Sequence, residues 1–198
     1  MQAFGTLNIT ANAANLQLGD NCFLGANYST IKTPAKYLSA IDLANCDDLT
    51  VIADGTEGIK DLFGGATKLR KLTIEGTSEY LTKFLDTLTS ETFKYCPDLA
   101  ELQVKQKDRR RSKFFTTQNC LFKRDGDNNI LVLGGNGFAD VSRTVDTISN
   151  VIIADRAFAY RDFGADPLPA LPKETISIGR EIFYNVTVDD STSSTSNS

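Results

Sequence analysis

Two stretches of this chain carry the same apolar pattern, and that repetition limits the folds open to it. In LFGGATKLRKLTI (62–74), Phe63 is followed by Ala66, Leu69, Leu72 and Ile74. In TFKYCPDLAELQV (92–104), Phe93 is followed by Cys96, Leu99, Leu102 and Val104. The offsets from the aromatic are three, six, nine and eleven in both copies. A weaker third copy, LANCDDLTVI, puts Leu43 in the aromatic's place, Cys46 at offset three, Leu49 at six and Ile52 at nine. Phe23, with Ala26 at offset three, opens a fourth. Frames starting at 23, 43, 63 and 93 step by twenty, twenty and thirty residues, which predicts stacked units with one enlarged member.

One unit cannot fold alone. Its few large apolar side chains contribute roughly 1.5–3 kcal/mol each when fully buried. Ordering twenty or more residues costs about 1–2 kcal/mol per residue for the backbone. Stacking makes the apolar column continuous and offsets that cost. The period therefore predicts a leucine-rich solenoid: a right-handed coil with short parallel strands on one face and irregular or short helical segments on the other.

The C-terminal third supplies further pieces. LPKETISIGREIFYN (171–185) alternates polar and apolar residues over Thr175–Ile178, turns at Gly179, and then drops Phe183 into the core. LGDNCF (18–23) and IGREIF (178–183) share an aliphatic-Gly-x-x-x-Phe pattern, and DRAFAY (155–160) offers another aromatic after NVIIA. Between 105 and 135 the register breaks. There the apolar runs Cys120–Phe122 and Ile130–Leu133 flank RDGDNN, an Asp-Gly hairpin signal inserted into one enlarged unit. LGGNGF (133–138) reads as a turn and GADPLPALPKE (164–174) as a proline-interrupted loop. Residues 1–188 are expected to form the solenoid, and the Ser/Thr-rich 189–198 a disordered tail.

Composition removes several function classes. The chain has no histidine, which excludes Ser-His-Asp and Cys-His catalysis and His-ligated zinc. The absence of tryptophan removes the best sugar-stacking platform. A net charge of −4 argues against a general nucleic-acid binder. No run is long and apolar enough to span a bilayer, and the first twenty residues lack the pattern of a secretory signal peptide. Cys22, Cys46, Cys96 and Cys120 are too widely spaced for a zinc site. They read as buried free thiols acting as small hydrophobes, with a disulfide pair as the alternative. No cofactor or metal is expected.

LPKETISIGREIFYN, LFGGATKLRKLTI and ETFKYCPDLAELQV resemble the BspA-type leucine-rich repeats, in which a proline, an aliphatic pair, Ile-Gly and an aromatic precede a Leu-rich strand. CLFKRDGDNNILVLGG is similar to the hairpin insert of that family. Three departures stand out: Ile182 replaces the usual Ala before Phe183, Tyr184-Asn185 is not followed by cysteine, and Arg161 follows Phe158 where a small residue belongs. The resemblance implies a curved domain at a cell surface or outside the cell. Such domains bind host proteins, matrix components or glycans and are not enzymes.

Candidate binding residues follow from the repeat. Alternation on the strands would expose Lys71, Thr73 and Glu75 on one unit and Glu101, Gln103 and Lys105 on the next. Exposed sheets are what solenoids present to partners, although a solvated face without a ligand has the same appearance. KQKDRRRSK (105–113) carries six basic residues and one acidic. Arg109, Arg110 and Arg111 within it could hold sulfated glycans, phosphates or an acidic protein patch, or could merely keep a loop soluble. Three N-glycosylation acceptors, at Asn8, Asn27 and Asn185, decide nothing. Asp47-Asp48 and DGDNN lack the spacing of a calcium loop. The leading expectation is a non-catalytic interaction domain. The alternative is a structural spacer or carbohydrate-binding module of a larger exported protein. An enzyme would have to work with carboxylates alone.

Overall fold

The computed structural model describes residues 5–10, 16–19, 22–23, 25, 27–56, 63, 65–135, 148–165, 168–169 and 171–189. Ala26, the end of the glycine turn at 136–138, the region 139–147 and the tail beyond 189 lie outside them. The protein is mostly β-sheet. Strands β1 (Thr6–Asn8), β2 (Thr30–Pro34), β3 (Asp48–Ile52), β4 (Lys71–Gly76) and β5 (Glu101–Gln106) form a parallel sheet in chain order.

Apolar side chains set the register. Leu7, Ile31, Leu49, Leu72 and Leu102 align in one row across the five strands, and Thr33, Val51, Ile74 and Val104 in a second. Strand side chains alternate between faces, so both rows point to the same side. Ile31, Leu49, Val51, Leu72 and Ile74 are fully buried there. Each strand is entered the same way. The Ser29 carbonyl accepts the N–H groups of Asp47 and Asp48, the Asp47 carbonyl those of Arg70 and Lys71, and the Arg70 carbonyl those of Ala100 and Glu101. Before each entry a tight turn closes: Cys46 N–H to Leu43 O, Leu69 N–H to Ala66 O, and Leu99 N–H to Cys96 O. Phe63 and Phe93, the matched aromatics of the two close copies, stack at 5.0 Å between ring centroids.

This register corrects the weaker copies. Leu49 sits beside Leu72, at offset nine rather than six, so the third frame starts at 40 and Cys46 corresponds to Leu69. Ile31 sits beside Leu49, which moves the fourth frame from 23 to 22. Leu43-x-x-Cys46-x-x-Leu49 is apolar every three residues, so a slip of three leaves the pattern almost unchanged. The strand pairing decides between the frames.

The enlarged unit between β4 and β5 contains helix α1 (Ser78–Leu85). Thr77 caps it by accepting the Tyr80 N–H, Glu79 lies in its first turn and Lys83 in its last, both favourable to the helix dipole. Leu81, Phe84 and Leu85, three and four apart, bury one face.

A second sheet follows, in the order β10–β9–β8–β7–β6. Strands β6 (Phe114–Thr117), β7 (Cys120–Asp125) and β8 (Asn128–Gly134) run antiparallel, while β8, β9 (Val151–Ile153) and β10 (Thr175–Ile178) run parallel. The Asp-Gly hairpin is present, with Gly126 at φ 59° in its two-residue turn. Strand β6 has no counterpart in the sequence reading.

The continuous apolar runs of the hairpin arise because both its faces are covered. Leu121 and its register partner Leu133 join the core beneath the first sheet, together with Phe114. Cys120, Phe122 and Leu131 join a second core with Val151, Ile153, Ala157 and Phe158. Phe183 enters that core as expected, stacked on Phe158 at 5.4 Å.

Arg161 also links the two halves. It is 1% exposed, and its guanidinium donates to the main-chain carbonyls of Cys96 (2.8 Å), Phe93 (3.2 Å) and Ala159 (3.3 Å). Burial pulls its pKa down to about 10. All four cysteines are free thiols. Cys46, Cys96 and Cys120 are buried as small hydrophobes, whereas Cys22 is exposed and departs from that reading. The Cys96 thiol donates to the Phe63 carbonyl of the preceding unit at 3.6 Å.

Candidate binding surface

The predicted face residues come together, but not as an open surface. Lys71 pairs in register with Glu101, Thr73 with Gln103, and Glu75 with Lys105. Lys71 lies 3.5 Å from Asp48 and 4.0 Å from Glu101, an alternating charge row across three strands. The expected exposure of Thr73 and Glu75 is corrected: Thr73 is 3% and Glu75 9% exposed. Thr73 lies in a row between Thr50 and Gln103. Glu75 is covered by its own counter-ions, Lys32 at 2.7 Å and Lys107 at 3.0 Å. Burial works to raise the Glu75 carboxyl, but hydrogen bonds and charge from the two lysines outweigh it and hold the group below the usual carboxylate range. The charges at this part of the sheet are largely neutralised by one another.

The concave surface lies at the margin between the sheets. A cavity of about 310 Å³ is lined by Leu102–Lys105 of β5 and Thr116–Asn119 of the β6–β7 turn. The Lys107 N–H bonds back to Gly76, so by alternation Val104 directs its N–H to the other side, where Thr116 Oγ1 accepts it at 3.0 Å. Gln118 (φ 47°) and Asn119 (φ 58°) occupy the left-handed region of a two-residue hairpin turn. Gln103, Lys105, the hydroxyls of Thr116 and Thr117 and the amides of Gln118 and Asn119 line this cleft with hydrogen-bond donors and acceptors.

A second cavity of about 260 Å³ is lined by Arg111, Ser112, Lys113, Arg124 and Gly126. The basic loop around it is ordered at its base. Asp108, its one acidic residue, accepts the Ser78 N–H on both carboxylate oxygens, at 3.1 and 3.2 Å. Gln106 bridges the side chain and carbonyl of Asp108 and the carbonyl of Arg110. Arg109, Arg110 and Arg111 are exposed, and of the three only Arg111 lines the cavity. Arg124 donates to the Ser112 carbonyl at 2.7 Å and packs on the Phe115 ring at 4.0 Å. Burial, and after it the charge of Arg111, lowers the Arg124 pKa. Lys113 and Lys123 share Asp86, at 3.3 and 2.7 Å.

Sequence reasoning missed Arg124 and the 116–119 turn. The available signal was KFFTTQNCLFKR, two short apolar runs around Gln-Asn. Read as a hairpin, it returns Arg124 to Lys113, where the Arg124 N–H bonds the Lys113 carbonyl at 2.8 Å. A third concavity is lined by Asp155, Arg156, Arg180 and Glu181, which form the ion pairs Arg156–Glu181 (2.7 Å) and Arg180–Asp155 (3.4 Å). Among the described residues, no group of three or more His, Cys, Asp or Glu could hold a metal. Among them, too, no helix is long and apolar enough to cross a membrane. No known protein family, curated protein or solved structure matches this chain.

Proposed function

We propose that this chain is a non-catalytic interaction domain, a right-handed leucine-rich solenoid of the BspA type, that binds an anionic glycan through the margin formed by β5, β6 and the basic loop. The observation that carries the reading is the cavity in which Arg111, Lys113 and Arg124 converge. The charge of Arg111 adds to burial in disfavouring the Arg124 cation. A sulfate or carboxylate between them relieves the repulsion and accepts the paired N–H donors that arginine presents. Strand β6 runs from this cavity to the polar cleft at Thr116–Asn119, a span of about 13 Å for four residues. An extended, partly charged polysaccharide fits such a sequence of subsites. The parallel sheet in chain order, and the general right-handedness of parallel crossovers, support the solenoid. The exported or cell-surface setting rests on the family resemblance.

The test is retention of the purified chain on heparin-type sulfated glycans at low and physiological salt, compared with a neutral glycan. Selective retention that weakens with salt is expected, along with at least a tenfold loss in the R109A/R110A/R111A and R124Q variants, since each removes charge-assisted contacts of about 1.5–3 kcal/mol. Retention unchanged in both variants would place the ligand elsewhere. No retention on any glycan would favour the spacer role.

A further inference from the structure

Helix α1 grips the basic loop at both of its ends, and we propose that this grip sets the selectivity of the loop. Arg109, Arg110 and Arg111 are held as a fixed array that takes stiff glycans with regularly spaced anionic groups over flexible polyanions of equal charge. Asp108 is the positioning residue. The inference deepens the glycan reading and rests on it.

At the N-terminus of α1, the Asp108 carboxylate accepts the Ser78 N–H on both oxygens, at 3.1 and 3.2 Å. A carboxylate there also meets the positive end of the helix dipole. Ser78 Oγ lies 3.5 Å from the Arg111 carbonyl and donates to it. At the other end, the C-cap residue Asp86 takes Lys113 at 3.3 Å and Lys123 at 2.7 Å. An acid at a helix C-terminus opposes the dipole, so Asp86 is stabilised by those lysines and not by its helix. Burial works to raise the Asp86 carboxyl, but hydrogen bonds and charge from Lys123 and Lys113 outweigh it and hold the group below the usual carboxylate range.

Between these anchors the backbone is fastened and the arginine side chains are not. Gln106 bonds the Asp108 side chain and the carbonyls of Asp108 and Arg110. Ser112 is buried, and its carbonyl accepts from Arg124 at 2.7 Å. The flanking lysines are committed, Lys107 to Glu75 and Lys113 to Asp86. Arg109, Arg110 and Arg111 are exposed, and among the described residues none of the three has a carboxylate partner. Charges on a fixed backbone recognise spacing. Charges on a mobile one adapt to any polyanion and lose binding free energy to ordering the loop.

The full chain is titrated with a heparin-type glycan and with polyaspartate of matched charge, and circular dichroism confirms the fold of each variant. Asp108→Ala and Asp108→Asn remove the same negative charge, but only asparagine keeps an oxygen that can accept the Ser78 N–H. Charge alone would tighten anion binding equally in both. Positioning instead predicts that Asp108→Ala weakens glycan binding by about tenfold and polyaspartate binding by less, and that Asp108→Asn restores most of the glycan affinity. Gln106→Ala, which frees the Arg110 carbonyl and changes no charge, should weaken glycan binding in the same direction and decides the point if Asp108→Ala does not fold. With no ligand present, Asp108→Ala should speed tryptic cleavage after Arg109, Arg110 and Arg111, since a released loop opens more often. A parent chain that binds no glycan overturns the glycan reading and this inference with it. A parent that binds, with Asp108→Ala or Gln106→Ala binding as tightly or more tightly, overturns this inference alone. So does an Asp108→Ala chain that keeps its preference for glycan over polyaspartate, matches Asp108→Asn in affinity, or is cut no faster than the parent.

Discussion

Replacing Arg161 tests how the two sheets are held together. Truncation to alanine removes three donors; the Phe93 and Cys96 carbonyls keep the N–H groups of Cys96 and Leu99, so what is lost there is two hydrogen bonds to a charged group, at about 2 kcal/mol each. It also deletes the aliphatic stem, worth about 2 kcal/mol more. Against this, the depression of the pKa from 12.5 to about 10 means that keeping the charge buried costs about 3 kcal/mol at neutral pH. Arg161→Ala should therefore destabilise by about 3 kcal/mol, and Arg161→Met, which keeps the stem volume, by about 1 kcal/mol. Urea unfolding measures both. Hydrogen exchange adds where the loss is felt: Val151–Ile153 in β9 should lose protection before Leu72 and Ile74 in β4. The reasoning fails if Arg161→Ala costs less than about 1 kcal/mol. It fails equally if Arg161→Met is more stable than the parent, because the buried charge would then be a net liability and not a tie.

Three further outcomes are expected. A Cβ on Gly179 would lie 2.5 Å from the Asp155 backbone nitrogen, so Gly179→Ala should cost about 1–3 kcal/mol or more and lower Tm, whereas Gly65→Ala, which meets nothing within 4 Å, should be nearly silent. Because Lys32 and Lys107 hold the Glu75 carboxyl below its usual 4.5, their contribution is fully present above that pH. It is lost as pH falls through the lower folded value, so the acid slope of stability should be shallower in Glu75→Gln. Burial pushes Cys46 and Cys96 up to about 12 and raises Cys120 further. A thiol reagent should therefore titrate one equivalent, Cys22, in the native protein and four after unfolding.

The parallel sheet was legible because its signal is local. The offsets from Phe63 and Phe93 encode which residues line a strand, and the strands pair in chain order, so reading one unit reads its neighbour. The frame of the third copy was not legible, since apolar residues every three positions look alike after a slip of three. Lys71 with Glu101 and Gln103 with Lys105 reached the candidate surface for the same local reason. Thr73 and Glu75 did not stay exposed. Glu75 is covered by Lys32, two strands away, and by Lys107, beyond the end of β5, and alternation within one strand cannot foresee either. Arg124 needed a hairpin whose first strand, β6, is four residues long. Arg161 looked like a misplaced charge in its own repeat, because its partners lie 65 and 68 residues away.

The successive core residues Ile31, Leu49, Leu72 and Leu102 are separated by 18, 23 and 30 residues, yet they stand in one unbroken row. Chain length has been absorbed away from the sheet, in the last case as a capped helix with its own buried face. In evolutionary terms, such a scaffold can lengthen without re-specifying its strand pairing. Inserted segments enter as surface excursions, and the entropic cost of a longer excursion grows only slowly with its length. The β4–β5 connection shows that such an addition can become ordered and gain a hydrophobic contact of its own. New elements can thus be added one unit at a time, leaving the ladder that the neighbouring units depend on in place.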